Sequence, residues 1–229
     1  MIKGFQGISL IDYPEHIASI VFIGGCNFRC PFCHNIELVL PRELNKLPTL
    51  SEEYILEELI RRKNFINGVE FTGGEPTLYK GLTKFLKRIK EEVKIDIKLD
   101  TNGTNPSIIE ELLRDSLVDY IAMDIKSSPD NYNRAAGVKV DIDAIKKSVE
   151  LIKSSQIDYE FRTTLVPDFV KEEDIGKICR FLGNVKRYVL QRYRPEKTLD
   201  YLEIKPYKEE ETRRFLSLID CAEIKFLRS

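Results

Sequence analysis

Three cysteines within one short run constrain the fold of this chain more than any other feature. Cys26, Cys30 and Cys33 have the spacing C-x3-C-x2-C and directly follow an apolar, strand-like run over residues 17–23. Three thiolates on one loop can ligate three irons of a cubane cluster and leave the fourth iron open to a small ligand. The spacing therefore predicts a loop at a strand end that carries an iron–sulfur cluster.

A zinc ion is the alternative for these cysteines, but structural zinc takes four protein ligands, usually as two separated pairs. His34 directly follows Cys33 and is poorly placed to join it on one tetrahedral ion. The remaining cysteines, Cys179 and Cys221, stand isolated in apolar stretches and are expected to be buried core residues. Iron–sulfur ligation is therefore the favoured interpretation.

The composition argues against several other classes of protein. Lys and Arg number 36 against 37 Asp and Glu, so no net basic charge indicates nucleic-acid binding. No apolar run approaches the ~20 residues of a membrane span, and the first residues lack the apolar core of a signal peptide. Cysteines clustered as metal ligands are typical of a reducing compartment. We therefore expect a cytoplasmic protein that binds neither membrane nor nucleic acid.

Strand-like and helix-like patterns alternate along the 229 residues, a length that fits a single domain. The alternation predicts an α/β fold, a parallel sheet wound with helices. Six such units are too few for a closed eight-stranded barrel, and periodicity alone leaves a doubly wound sheet and a partial barrel open. The predicted strands cover residues 17–23, 69–72, 95–100, 120–124, 159–166 and 188–191.

Polar motifs follow these strands at their C-terminal ends, where α/β folds place their chemistry. After the second strand, Gly73, Gly74 and Glu75 precede a proline. Glycines let a ligand approach the backbone closely, and an exposed row formed by the Gly73 carbonyl and the Glu75 carboxylate would suit an ammonium group. The alternative is an ordinary turn before a helix, which the neighbouring cysteine motif disfavours.

Two acidic motifs end the third and fourth strands. Asp100, Thr101 and Asn102 close one strand, and Asp124 with Lys126 closes the other. Two carboxylates on adjacent strand ends need a cation or a proton if they are to lie close together. A monovalent cation or a ligand ammonium would serve, with Lys126 as a further partner; the alternative is a set of solvated loop charges.

Two further polar residues lie in strands that are otherwise apolar. Burying Arg162 in the fifth strand is costly unless it is paired, so we expect it to contact a ligand or an acidic residue inside the barrel. Gln191, at the end of the sixth strand, is placed to hydrogen-bond a nucleoside. Both residues are therefore candidate cofactor contacts.

Together these motifs resemble the radical S-adenosylmethionine (radical SAM) superfamily, and within it the activating enzymes of glycyl radical enzymes. The stretch over residues 4–14, with the cysteine motif, is similar to the start of the activating proteins of anaerobic ribonucleoside-triphosphate reductases. The resemblance covers most of the chain and implies a partial (β/α)6 TIM-like barrel of the radical SAM type. It divides the single domain into an N-terminal extension (1–16), a barrel core (17–195) and a C-terminal helix and tail (196–229).

The resemblance also implies roles for particular residues. A [4Fe-4S] cluster is implied to be held by Cys26, Cys30 and Cys33. For SAM, the implied contact of the adenine is Phe32, those of the amino group are Gly73, Gly74 and Glu75, and that of the carboxylate is Lys126. A monovalent cation beside that carboxylate is implied to contact Asp100, Thr101, Met123 and Asp124. Asn102, Arg162 and Gln191 complete the predicted cofactor-binding set.

The implied function is reductive cleavage of SAM to methionine and a 5′-deoxyadenosyl radical, which generates a glycyl radical on a partner enzyme. The expected partner is an anaerobic ribonucleoside-triphosphate reductase, and the expected electron donor is a flavodoxin or a ferredoxin. Activating enzymes of the pyruvate formate-lyase type carry a histidine on the last barrel strand. This chain has Gln191 to Tyr193 there, and its only histidines are His16 and His34, which favours the reductase branch.

Three alternatives remain open at the level of sequence. A radical SAM enzyme that acts on a small molecule, similar to the 7-carboxy-7-deazaguanine synthases, would share every SAM motif above. An activating enzyme of the pyruvate formate-lyase type would share them too. A non-catalytic electron-transfer or zinc-binding module is a different class, and the open coordination of three cysteines argues against it.

Overall fold

The computed structural model describes residues 1–200 and 203–228, in which eight strands form one sheet. Each strand pairs with the next one along the chain; β1 is antiparallel to β2, and β2 to β8 are parallel. The strands are β1 (Ile2–Ser9), β2 (Ala18–Ile23), β3 (Gly68–Gly73), β4 (Asp96–Thr101), β5 (Tyr120–Asp124), β6 (Asp158–Leu165), β7 (Val185–Arg192) and β8 (Ala222–Arg228).

Helices connect most of the parallel strands. The first long helix begins after Ser51, whose side-chain oxygen caps it by accepting a hydrogen bond from the Tyr54 N–H at 3.1 Å. Among the described helices, none is long and apolar enough to cross a membrane. The helices are α1 (Ile36–Val39), α2 (Pro41–Leu44), α3 (Glu52–Arg62), α4 (Leu82–Arg88, extended by a π-helical turn Ile89–Val93), α5 (Pro106–Arg114), α6 (Tyr132–Ala136), α7 (Ile142–Ser154), α8 (Glu172–Leu182) and α9 (Glu209–Ser217).

The six predicted strands correspond to β2 through β7, and the predicted parallel α/β architecture is confirmed. The sequence did not predict β1 and β8. Two glycines interrupt β1, and β8 has three exposed residues in succession, so neither shows the buried apolar run of a central strand. Both lie in the same sheet as the expected core over residues 17–195. Within the expected tail over 196–229, residues 201, 202 and 229 lie outside the described part of the chain.

The sheet is curved, and its two faces differ in character. Successive side chains of a strand point to opposite faces, so in β3 and β4 apolar residues alternate with polar ones. The apolar set belongs to the main core and comprises Val69, Phe71, Ile97 and Leu99; the polar set faces a cavity and comprises Glu70, Thr72, Lys98 and Asp100. Side chains from all eight strands line this cavity of about 800 Å³. The sheet therefore curls into the partial barrel that the resemblance implies.

Cys179 and Cys221 are both buried, as predicted. They are not isolated from each other, however, because their sulfur atoms lie within 4.8 Å. No local pattern predicts this contact, since Cys179 belongs to α8 and Cys221 directly precedes β8.

Candidate active site

The cysteine loop that follows β2 is fixed against α6. The Arg29 backbone N–H donates to the Ala136 carbonyl at 2.8 Å, and the Arg29 guanidinium donates to the Cys26 carbonyl at 2.7 Å. Gly137, with a φ of 68°, lies so near that a Cβ there would sit 2.0 Å from the Arg29 carbonyl oxygen. The fold therefore fixes the backbone of this loop through contacts within the protein.

The three thiols of this loop are not arranged for a single ion. Their sulfur atoms do not all lie within 4.8 Å of one another, although Cys26, Cys30 and Cys33 all belong to the described residues. The sulfur ligands of one tetrahedral zinc ion, with Zn–S bonds of about 2.3 Å, lie roughly 3.8 Å apart. The donor set instead fits a cluster, which spreads its ligands over several metal atoms.

A buried positive charge lies beside these thiols. Burial raises the pKa of the Cys26 thiol to about 11 and that of Cys30 to about 12, and the nearby Lys126 ammonium opposes both shifts. Burial disfavours the charged form of Lys126 too, but Asp124, with Oδ2 at 2.9 Å from Nζ, holds the Lys126 pKa above its ordinary value. Lys126 therefore stays charged and partly offsets the charge of metal-bound thiolates.

Asn102 joins the end of β4 to the cysteine loop. Its side-chain amide donates to Asn27 Oδ1 at 2.8 Å and lies 3.9 Å from Cys26 Sγ. Its Oδ1 accepts from the Thr104 N–H at 3.0 Å, which fixes the orientation of the amide. The predicted site residue Asn102 is thus placed against a cluster cysteine, where it can donate to the sulfur.

The turn after β3 packs tightly against the cysteine loop. The Gly74 N–H donates to the Ile23 carbonyl and the Glu75 N–H to the Gly25 carbonyl, both at 2.8 Å. A Cβ on Gly74 would sit 2.1 Å from the Gly25 carbonyl oxygen, so only glycine fits there. The sequence analysis predicted that these glycines let a ligand approach the backbone closely. In the structure, the group that approaches Gly74 closely is the Gly25 backbone of the cysteine loop.

Glu75 holds two loops together. Its carboxylate accepts from the Thr77 hydroxyl at 2.6 Å, from the Thr101 hydroxyl at 2.7 Å and from the Asn102 N–H at 2.7 Å, and its side chain is buried. Burial raises the Glu75 pKa, and these hydrogen bonds oppose that shift. The prediction of an exposed carboxylate is wrong, because Glu75 and Thr101 instead connect the turn after β3 to the end of β4.

Arg162 lies between the two predicted carboxylates. Its Nη1 donates to Asp100 Oδ2 at 2.9 Å and its Nε to Asp124 Oδ1 at 2.8 Å, so the expected pairing of Arg162 with acidic residues is confirmed. Burial disfavours ionisation of both carboxyls, but Arg162, together with Lys98 at Asp100 and Lys126 at Asp124, outweighs it and holds each pKa below its ordinary value. A guanidinium thus supplies the positive charge that two adjacent carboxylates require.

The sequence analysis missed a third carboxylate in this network. Glu70 on β3 faces Lys98 on β4 at matching register; Lys98 Nζ lies 2.6 Å from Glu70 Oε1 and 2.6 Å from Asp100 Oδ1. The other oxygen of Glu70 is buried and has no hydrogen-bond partner within the described part of the chain. Opposite charges in consecutive, otherwise apolar strands were the signal that could have revealed this pair.

The remaining predicted residues divide into two groups. Phe32 lines the cavity and packs against Phe169, with ring centroids 5.4 Å apart, while Gln191 lines the wall on β7. The Met123 side chain packs in the main core, where a Cβ on Gly103 would sit 2.0 Å from its methyl carbon. Neighbouring residues of a strand face opposite ways and Asp124 takes the inner face, so Met123 can contribute to the predicted cation site only through its backbone; its place in that site stays a prediction.

The cluster loop, the glycine turn and the strand-end charges converge on one cavity, and comparison with known proteins shows to which class this arrangement belongs. The model of the radical SAM superfamily matches residues 20–182. The chain belongs to that superfamily, which implies a [4Fe-4S] cluster and SAM.

The chain is moreover 33% identical over 206 residues to the candidate glycyl-radical enzyme activating enzyme MJ1227 of Methanocaldococcus jannaschii, covering 87% of this chain and 82% of the relative. It is 29% identical over 207 residues to the pyruvate formate-lyase-activating enzyme of Clostridium pasteurianum, covering 86% and 82%. Within the superfamily, the chain is therefore a glycyl-radical-enzyme activating enzyme.

A solved structure supports the fold independently. The chain superposes on Streptococcus suis SuiB bound to S-adenosylmethionine with a TM-score of 0.68 at 17% identity, covering 92% of this chain. The chain spans about half of SuiB, 52% of its length. At this identity the match shows the shared fold alone.

Proposed function

We propose that this enzyme generates the glycyl radical of an anaerobic ribonucleoside-triphosphate reductase. The observation that carries the choice of partner is the position of the two histidines. His34 lies beside the cysteine loop, and His16 bonds to Asp96 at the start of β4, 3.0 Å away at the other end of the strands. The inner wall at β7 presents Gln191, where the resemblance places a histidine in activating enzymes of the pyruvate formate-lyase type.

When bound, the [4Fe-4S] cluster and SAM supply a one-electron reductive cleavage that gives methionine and a 5′-deoxyadenosyl radical able to take a hydrogen atom from glycine. The electron comes from a flavodoxin or a ferredoxin. Cys26, Cys30 and Cys33 hold the cluster, and the buried ammonium of Lys126 attracts the SAM carboxylate beside it.

Other residues of the chain orient the cofactor and enclose it. The backbone at Gly73 and Gly74 receives the amino group, and Phe32 with Gln191 contacts the adenosine. Arg162 takes the place expected for a monovalent cation, since it already bridges the two carboxylates of that site. These groups line a cavity of about 800 Å³, and expulsion of water from it when cofactor and partner bind would protect a reactive radical.

The test starts with anaerobic reconstitution with iron and sulfide, followed by dithionite and SAM. Chromatography measures 5′-deoxyadenosine, and electron paramagnetic resonance measures a glycyl radical on added partner. One sample contains an anaerobic ribonucleotide reductase, and a matched sample contains a glycyl radical enzyme of the pyruvate formate-lyase type.

A radical doublet on the reductase alone supports the proposal. A doublet on the other enzyme alone would assign this chain to the pyruvate formate-lyase type. Cleavage of SAM without a radical on either partner would favour a small-molecule substrate, such as that of a 7-carboxy-7-deazaguanine synthase-like enzyme.

A further inference from the structure

A second group of potential metal ligands lies at the opposite end of the barrel from the cavity. Cys179 belongs to α8, and Asp220 and Cys221 directly precede β8. Because the cavity lies at the C-terminal ends of the strands, the start of β8 belongs to the other end of the sheet. None of these three residues lines the cavity or contributes to the activity proposed above.

The three side chains converge on one point. The two sulfur atoms and a carboxylate oxygen of Asp220 all lie within 4.8 Å of one another, and no other such group of three occurs among the described residues. Both cysteines are buried, at 3% and 8% exposure, whereas Asp220 is exposed. The group is therefore open to solvent on the carboxylate side only.

The backbone around the group is fixed. The Val185 N–H at the start of β7 donates to the Cys221 carbonyl at 2.8 Å, and the Gly183 N–H donates to the Cys179 carbonyl at 2.9 Å. Gly183 has a φ of 63°, which ends α8 and turns the chain towards β7. Cys179 and Cys221 are thus brought together by the fold, although they are distant in sequence.

We propose that Cys179, Asp220 and Cys221 bind a zinc ion, with water as the fourth ligand. Cysteine sulfur and aspartate oxygen are both zinc ligands, and three protein ligands with one water is the composition of an open zinc site. Asp220 and Cys221 are neighbours in sequence, but in this fold their ligand atoms lie within 4.8 Å of each other and of the Cys179 sulfur. Tetrahedral zinc, with bonds of about 2.0–2.3 Å, separates its ligand atoms by roughly 3.3–3.8 Å, so only small side-chain movements would complete the site.

The third donor distinguishes this proposal from a simple disulfide. Two cysteines that only form a disulfide need no carboxylate within reach of both sulfurs, whereas a zinc ion gains a ligand from it.

A bound ion would also connect α8 to the start of β8. This strand carries Arg228, whose guanidinium donates to Glu160 on the inner wall at 2.7 and 2.9 Å.

The test uses the reconstituted holoenzyme under anaerobic conditions, because its cluster then occupies the other three cysteines. The protein is incubated with zinc chloride and desalted, and its zinc and iron contents are measured by mass spectrometry of the elements. The variants are Cys179→Ser, Cys221→Ser and Asp220→Asn. Glu223→Gln is the matched control, since it neutralises an exposed acid near Asp220 that is not in the group.

We expect one zinc per chain in the wild type and in Glu223→Gln, little zinc in either serine variant, and weaker binding in Asp220→Asn. Iron content should stay the same in all five proteins, which separates loss of this site from misfolding or loss of the cluster. Zinc-edge X-ray absorption should show two sulfur ligands at about 2.3 Å with oxygen ligands nearer 2.0 Å. A melting temperature that rises with zinc in the wild type but not in the serine variants should accompany binding.

Several results would overturn the proposal. The proposal would be overturned if the wild-type holoenzyme took up no zinc. It would also be overturned if the serine variants took up as much zinc as the wild type. A wild type that lacks zinc and whose Cys179 and Cys221 resist thiol alkylation even after denaturation without reductant would show a disulfide instead. None of these outcomes depends on SAM cleavage, so failure of the zinc site and failure of the proposed activity are separate results.

Discussion

Arg162 on β6 reaches Asp100 on β4 across the intervening strand β5, with Nη1 and Oδ2 2.9 Å apart. Neighbouring strands lie about 4.8 Å apart, so β4 and β6 would be roughly 10 Å apart in a flat sheet. Curvature of the sheet brings the inner side chains of β4 and β6 closer together, and the long Arg162 side chain spans the distance that remains. The ion pair and the curved sheet therefore depend on each other.

Replacing Arg162 with methionine should destabilise the protein and weaken SAM binding. The change removes the buried guanidinium that the partly buried Asp100 and Asp124 share, and breaking a fully buried ion pair costs about 3–5 kcal/mol, which is an upper bound here. Chemical denaturation monitored by circular dichroism measures the change in the free energy of unfolding. The control is Arg213→Met on α9, where the side chain is 75% exposed and little change is expected.

The double variant Arg162→Met with Asp100→Asn refines this test. In Arg162→Met, Asp100 keeps only Lys98 and Asp124 keeps only Lys126 as cationic partners among the described residues. Removing one of the two carboxylate charges should restore part of the lost stability, because the energies of residues in contact do not add. Equal stability of the single and double variants would contradict the electrostatic account of Arg162.

Glu70→Gln should change how stability depends on pH. Burial, and then the neighbouring Asp100 carboxylate, raise the Glu70 pKa well above its ordinary value. Between the ordinary glutamate pKa of about 4.3 and the raised one, the folded protein binds more protons than the unfolded chain. Its free energy of unfolding therefore falls as pH rises through that window.

Glutamine cannot ionise, so the Glu70→Gln variant should lack this contribution. The two proteins should differ least in stability below about pH 4, where Glu70 is protonated in both states. Above that pH the variant should become progressively more stable relative to the wild type. Denaturation curves at a series of pH values measure the difference in the free energy of unfolding. If the wild type became more stable relative to the variant as pH rises, the assignment of a raised Glu70 pKa would be refuted.

Asn102→Ala should lower the reduction potential of the cluster. Asn102 places its side-chain amide 3.9 Å from Cys26 Sγ, and hydrogen bonds to cluster sulfurs raise the potential. A redox titration followed by electron paramagnetic resonance measures the shift. Asn105→Ala serves as the control, because that amide donates to the Thr77 carbonyl at 3.2 Å rather than to a sulfur. An unchanged potential in Asn102→Ala would mean that this amide does not affect the cluster.

Gly74→Ala should disrupt the contact between the glycine turn and the cysteine loop. The added methyl would lie 2.1 Å from the Gly25 carbonyl oxygen, so one of the two backbones must move. We expect a lower iron content after reconstitution and a loss of roughly 1–3 kcal/mol, the usual cost of overpacking. Gly176→Ala in α8 is the matched control, since its nearest contact would be 3.6 Å away and alanine favours a helix by about 0.5–1 kcal/mol.

Local patterns were enough to predict the strands that carry the chemistry. β2 through β7 are apolar runs that end in polar motifs, and the order of such segments is sufficient for a parallel sheet with its site at one edge. The predicted pairing of Arg162 rested on the cost of burying a charge, which holds in any fold. These predictions were correct because each depended on one segment at a time.

The errors share a different cause. The glutamate–lysine pair of Glu70 with Lys98 was missed because it forms only when β3 and β4 lie side by side in register. The environment of Glu75 depends on Thr77 and Thr101, and the latter belongs to another strand. The contact of Cys179 with Cys221 likewise arises only when the last strand joins the sheet. Pairings between distant segments are a property of the folded chain.

The sequential strand order has a consequence for biosynthesis. Because every strand neighbours the one before it, each segment leaving the ribosome meets a partner that has already been made. Cys26, Cys30 and Cys33 emerge early, whereas the Lys126 and Arg162 side chains that complete their surroundings are translated much later. The three thiols are therefore made long before their charged neighbours, and the wall behind them is complete only once β5 and β6 have joined the sheet.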